Sequence, residues 1–210
     1  MRILCIGDSN TWGFDPADRT RQDRRWTRLL RTWLKEDEII EEGCNGRTFA
    51  FEDPFTPGRC GLAALPTLLM SHDPIDLVIV MLGTNDLKVQ FHANAAAIAR
   101  GARSFVRTIS DPNLYTYGVP SILIVSPILL HEKIEELEGP GGDFNGRSLE
   151  QSRLLSSHIQ TVCEPYDIYF LDASRHACPS DIDGVHMEAE SHEKLARAIQ
   201  AKIEEIRARK

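Results

Sequence analysis

Arg2-Ile3-Leu4-Cys5-Ile6-Gly7-Asp8-Ser9-Asn10 opens the chain as a short apolar run that ends abruptly in a polar turn. Consecutive apolar residues without period-two alternation read as a strand buried on both faces. Leu77-Val78-Ile79-Val80-Met81-Leu82 and Ile122-Leu123-Ile124-Val125 have the same character, and the first of these runs into Gly83-Thr84-Asn85-Asp86. Weaker strand signals fall at residues 39–44 and 168–171, with Glu41-Glu42 marking the former as an edge or a strand end. Between them lie helical patterns at residues 26–34, 62–70, 95–109, 149–162 and 189–207, the second opened or interrupted by Pro66. Strands alternating with helices imply a parallel sheet covered on both faces, here one doubly wound α/β domain over residues 1–210. In such folds ligands bind outside the carboxyl ends of the strands.

Composition narrows the function without naming it. The chain has 210 residues, long enough to bury roughly 70% of the surface its unfolded form exposes, so it needs no disulfide or metal staple. Its net charge of −7, from 24 basic and 31 acidic residues, argues against a nucleic-acid partner, which wants a basic surface. No run approaches the ~20 apolar residues of a membrane span, and the apolar start is too short for a secretory signal, so a cytoplasmic protein is expected. The five cysteines (Cys5, Cys44, Cys60, Cys163 and Cys178) form no C-x-x-C pair, and Cys5 and Cys44 read as small buried apolar residues. Residues 131–146, with Gly139-Pro140-Gly141-Gly142, and residues 47–61 have no clear pattern and are candidate walls or lids.

Four polar clusters lie at the same edge of the expected sheet: Gly7-Asp8-Ser9-Asn10, Gly43-Cys44-Asn45-Gly46, Gly83-Thr84-Asn85-Asp86 and Asp181-Ile182-Asp183-Gly184-Val185-His186. Together they hold the parts of a serine hydrolase. Ser9 is the candidate nucleophile, weak until a base within hydrogen-bond reach takes its proton. His186 is the candidate base, and Asp183, three residues earlier, the carboxylate that orients it. Candidate oxyanion donors are the Ser9 and Gly46 N–H groups and the Asn85 amide. Each part alone has a plainer explanation: Ser9 or Asn85 as a helix cap, Gly46 or Asp183-Gly184 as a turn. Trp12 and Phe14 either line an apolar substrate pocket or pack the loop against the core. Two other classes compete. A flavin- or phosphate-binding module would use the turn after the first strand and leave Asp183 and His186 idle. A metallohydrolase would use Asp181, Asp183, His186 and His192, whose spacing matches no common ligand motif. A G-x-S-x-G nucleophile elbow does not fit Ser9-Asn10-Thr11.

At these residues the sequence resembles the SGNH, or GDSL-type, hydrolase superfamily. Gly7-Asp8-Ser9-Asn10-Thr11 is similar to the first block, Gly46 in Asn45-Gly46-Arg47-Thr48 to the second, Gly83-Thr84-Asn85-Asp86 to the third and Asp183-Gly184-Val185-His186 to the fifth. Arg25-Trp26-Thr27, Glu41-Glu42-Gly43 and Met81 through Lys88 resemble the bacterial arylesterase and acyltransferase branch. Asn10 stands where many members have leucine, a departure expected to alter only local hydrogen bonding. The resemblance implies a three-layer α/β/α, flavodoxin-like fold with a five-stranded parallel sheet and hydrolysis of small-molecule, short-acyl esters. It also implies some acyl-transfer capacity, no metal or organic cofactor, and a homo-oligomer.

Overall fold

A computed structural model describes residues 1–137 and 142–209. The Gly139-Pro140-Gly141 part of the candidate lid lies outside the described residues. Five parallel strands, β1 (Arg2–Gly7), β2 (Glu38–Gly43), β3 (Leu77–Met81), β4 (Ser121–Ser126) and β5 (Tyr169–Asp172), pair in the order β2-β1-β3-β4-β5. This is the flavodoxin-like order of an α/β three-layer fold, with its switch point between β1 and β3.

The pleat sorts each strand's apolar residues onto two faces. Ile3, Cys5, Leu77, Ile79, Leu123 and Val125 join a core with Trp26 and Leu30 of α2 (Trp26–Trp33) and Leu195, Ile199 and Ile203 of α6 (Ala189–Ala208). Leu4, Ile6, Val78, Val80, Ile122 and Ile124 face the other way, onto α3 (Gly61–His72), α4 (Ala95–Ile109) and α5 (Gly146–Cys163). Burying one such Leu or Ile fully is worth about 1.5–3 kcal/mol, which is why these runs carry no polar break.

The differences from the sequence reading have local causes. A four-residue helix, α1 (Ser9–Trp12), follows β1 directly, capped by Asp8, whose Oδ1 accepts from Asn10 N at 2.9 Å. Pro66 neither opens nor breaks α3: the helix starts at Gly61, whose N–H donates to Thr48 O at 3.0 Å. α5 begins three residues earlier than its apolar stripe, on a capping box between Asn145 and Ser148. Cys5 is fully buried, but Cys44 is only half-buried, its Sγ 2.9 Å from Arg59 Nη1. β2 is an edge strand that keeps Glu41 because Arg25 grips that carboxylate through Nε at 2.7 Å and Nη2 at 3.1 Å, and Arg21 adds a contact at 2.7 Å. Among the described residues no helix is long and apolar enough to cross a membrane.

Candidate active site

The strand ends bring the first three polar clusters together, and the loop before α6 adds the fourth. β1 and β2 finish in register at Gly7 and Gly43. A Cβ on Gly43 would come within 2.3 Å of Trp12 N, so glycine there lets α1 lie against the end of β2. Ser9 is the first residue of α1, and its Oγ is 2.9 Å from His186 Nε2. His186 Nδ1 is 2.5 Å from Asp183 Oδ2. Asp183 Oδ1 accepts from the N–H groups of Val185 at 3.0 Å and His186 at 2.9 Å, which curls residues 183–186 so that ring and carboxylate meet. All three side chains are nearly buried, each residue being 7% exposed.

Gly46 and Asn85 line the same cavity as Ser9. Gly46 sits in the left-handed region, at φ +79°, in the turn after β2. Asn85 starts a single 3-10 turn after β3, and one hydrogen of its Nδ2 goes to Arg47 O at 3.1 Å, leaving the second to donate elsewhere. Among the described residues the Ser9 and Gly46 N–H groups donate to nothing. Asp86, beside Asn85, accepts Phe49 N on both carboxylate oxygens, at 3.0 and 2.9 Å, so two adjacent side chains hold the Gly46 turn.

Electrostatics separate the carboxylates. Burial pulls the Asp183 carboxyl up, but the hydrogen bond and charge of His186, with two main-chain N–H groups, outweigh it and hold the group below its ordinary value. Burial dominates at Asp8, raised to about 6, and at Asp86, raised to about 7, though N–H donors at Asn10 and Phe49 oppose it. Asp8 thus caps α1 from the interior and faces no solvent. Burial likewise pushes His192 down to about 3; its Nδ1 faces Trp26 N at 3.4 Å.

A cavity of about 600 Å³ opens over Ser9, Gly46, Asn85, Asp183 and His186. Phe14 lines it, with its ring 4.3 Å from the His186 ring. Trp12 does not line it: that ring lies under the Arg21 guanidinium at 5.3 Å, which packs the loop. Of the two candidate lids, residues 131–146 contribute Phe144, anchored by Val89 N to Asp143 O and Lys88 Nζ to Asp143 Oδ2, both at 2.8 Å. Residues 47–61 contribute no lining residue. Sequence reasoning gave no role to Gln22 or to the lining residues Arg19, Lys88 and Ile182, the last two quoted only as members of longer motifs. The metal-ligand quartet does not assemble: Asp181 reaches out to His131 at 3.0 Å and His192 points into the core. Among the described residues no group of three or more His, Cys, Asp or Glu could hold a metal ion.

Comparison with known proteins gives the family of the chain. The family model of the GDSL-like lipase/acylhydrolase family matches residues 5–194. Est24, a carbohydrate acetylesterase from Sinorhizobium meliloti, is 34% identical, with a TM-score of 0.90 over 98% of this chain and 99% of its own. An inhibitor-bound aryl esterase from M. smegmatis is 32% identical, with a TM-score of 0.90 over 97% of this chain and 98% of its own. A putative arylesterase from Agrobacterium tumefaciens str. C58 is 35% identical, with a TM-score of 0.86 over 98% and 99%. No curated protein sequence gives a significant match. With the family model spanning most of its length, the chain belongs to the GDSL-like lipase/acylhydrolase family.

Proposed function

We propose that the protein is a serine esterase that hydrolyses small, short-acyl esters through an acyl-enzyme on Ser9. The observation that carries this reading is the unbroken chain Ser9 Oγ–His186 Nε2–His186 Nδ1–Asp183 Oδ2 at the floor of the cavity. In the first step His186 Nε2 takes the Ser9 proton while Oγ bonds to the ester carbonyl carbon. The oxyanion so formed lies among the N–H groups of Ser9 and Gly46 and the free hydrogen of the Asn85 amide. The C–O bond to the alcohol then breaks and the imidazolium returns its proton to the leaving oxygen. A water molecule, deprotonated by the same nitrogen, attacks the acyl-enzyme and releases the carboxylic acid and free Ser9. Asp183 holds the tautomer and stabilises the imidazolium; its lowered pKa keeps it ionised.

The aryl and carbohydrate acetate esters named for the similar structures suit a cavity with apolar walls at Phe14 and Phe144 and polar groups at Arg19, Asn45 and Lys88. The flavodoxin-like alternative, a phosphate or flavin module, gives no use to the His186–Asp183 pair. Ser9→Ala is expected to lower kcat on p-nitrophenyl acetate by roughly 10⁴–10⁶-fold, with the fold intact by circular dichroism. Undiminished hydrolysis by that variant would remove Ser9 from the reaction.

A further inference from the structure

Residues 185–187 belong to no helix or strand, yet all six of their main-chain polar groups are paired. Val185 N and His186 N donate to Asp183 Oδ1, and His186 O accepts from Ser180 N at 2.8 Å. The other three pair with two side-chain amides from the segment that carries the nucleophile. Asn10 Nδ2 donates to Val185 O at 3.1 Å, and Asn10 Oδ1 accepts from Met187 N at 3.0 Å. Gln22 Nε2 donates to Met187 O at 2.7 Å and also reaches Phe14 O at 3.3 Å. Both residues are buried, and Gln22 is fixed in turn by its own N–H on Gly13 O at 2.6 Å.

The arrangement has the logic of a strand ladder with side chains as the second strand. An extended segment offers a C=O at one residue and an N–H two residues on, and one amide group, with one donor end and one acceptor end, satisfies both. That order of donor and acceptor fixes which way the Asn10 amide faces. The residue between the two bonded positions is His186, and the residue before Asn10 is Ser9.

We propose that Asn10 and Gln22 are positioning residues that act as a two-amide clamp, setting the His186 ring against Ser9; this rests on the Ser9–His186 reading above. Neither side chain touches the ester. The clamp grips the main chain on both sides of the base, so it limits how far Nε2 can drift from the Ser9 hydroxyl. It joins segments that the sheet does not join, because residues 180–187 pair with no strand. Being neutral, the two amides hold the base equally in either of its protonation states.

The test uses the full chain as Asn10→Leu, Gln22→Leu and the double variant, with Ser9→Ala as reference, on p-nitrophenyl acetate. Misplacing a reacting group by about 1 Å can cost about 100-fold in rate. The clamp therefore predicts a fall in kcat of about 10–100-fold for Asn10→Leu, a smaller fall for Gln22→Leu, and KM within about twofold of wild type. Inactivation by a fluorophosphonate, which reads Ser9 nucleophilicity directly, should slow in the same proportion. Folded variants that keep kcat within about twofold, or that change KM alone, overturn the clamp. If Asn10→Leu fails to fold, Gln22→Leu, further from the nucleophile, decides by the same criteria. Full activity in Ser9→Ala would instead overturn the nucleophile on which the clamp depends.

Discussion

Residues 180–187, which carry His186, and residues 44–49, which carry Gly46, both line the cavity over Ser9 and are moored by different chemistry. The first segment is held by the amides of Asn10 and Gln22 and by one carboxylate, Asp183, kept ionised by the His186 bond. The second is held by the Asn85 amide and by Asp86, a buried carboxyl raised to about 7. One mooring keeps its charge state across the neutral range, whereas the other carries a group that titrates within it. The support of the Gly46 turn is therefore linked to a proton.

Between these two segments, the largest expected effect is on the chemistry of the second. Asn85→Ala removes one proposed oxyanion donor and unties Arg47 O, so kcat should fall about 10²–10³-fold with a much smaller change in KM, measured on p-nitrophenyl acetate. A loss of only a few-fold would mean that the turn works through its main chain alone.

Asp86→Asn probes the linkage itself. The folded pKa, about 7, lies above the roughly 3.9 of an unfolded aspartate, so between those values the folded state keeps a proton that the unfolded state has lost. The contribution is therefore present in full below about pH 4 and is lost as pH rises through about 7. Asp8, raised to about 6, adds to the same slope. Wild-type melting temperature should decline across that window, and Asp86→Asn should flatten the decline in thermal scans at stepped pH. An unchanged slope would remove Asp86 as its source.

The smallest effect belongs to Gly46→Ala. An added Cβ meets nothing nearer than Arg59 Cδ at 3.6 Å, an ordinary contact, so only the left-handed backbone at φ +79° resists it. That costs a non-glycine residue about 1–2 kcal/mol, so a loss of about tenfold or less in kcat is expected from steady-state rates.

The sheet was legible because its strands are buried on both faces. Leu77–Met81 has no polar residue, and α4 shows its stripe from Ala95 to Ile109. Short elements were not: α1 is one turn long, too brief for any periodicity, and only Asp8 as a cap signals it. At the site, residue type and order suggested Ser9, Gly46, Asn85, Asp183 and His186 because each sits beside a strand end or in one short motif. Gln22 left no trace, since its partner is a carbonyl 165 residues away and any side-chain donor serves a carbonyl equally well. Trp12 and Phe14 looked alike in sequence, and their separation into packing and lining depends on Arg21 and His186, which no local pattern brings near.

Ser9 and His186 are 177 positions apart, and that span orders events on a growing chain. Ser9, the proposed nucleophile, follows β1 and is synthesised before β2, the first strand that β1 pairs with in chain order. Pairing of β1 with β2, and then of β3 and β4, can proceed while the base is still unsynthesised. Residues 180–187 follow only after β5, with α6 behind them to close the second core. A chain that stops short of residue 186 lacks the proposed base, so the Ser9–His186 pair can form only after all five strands have been made.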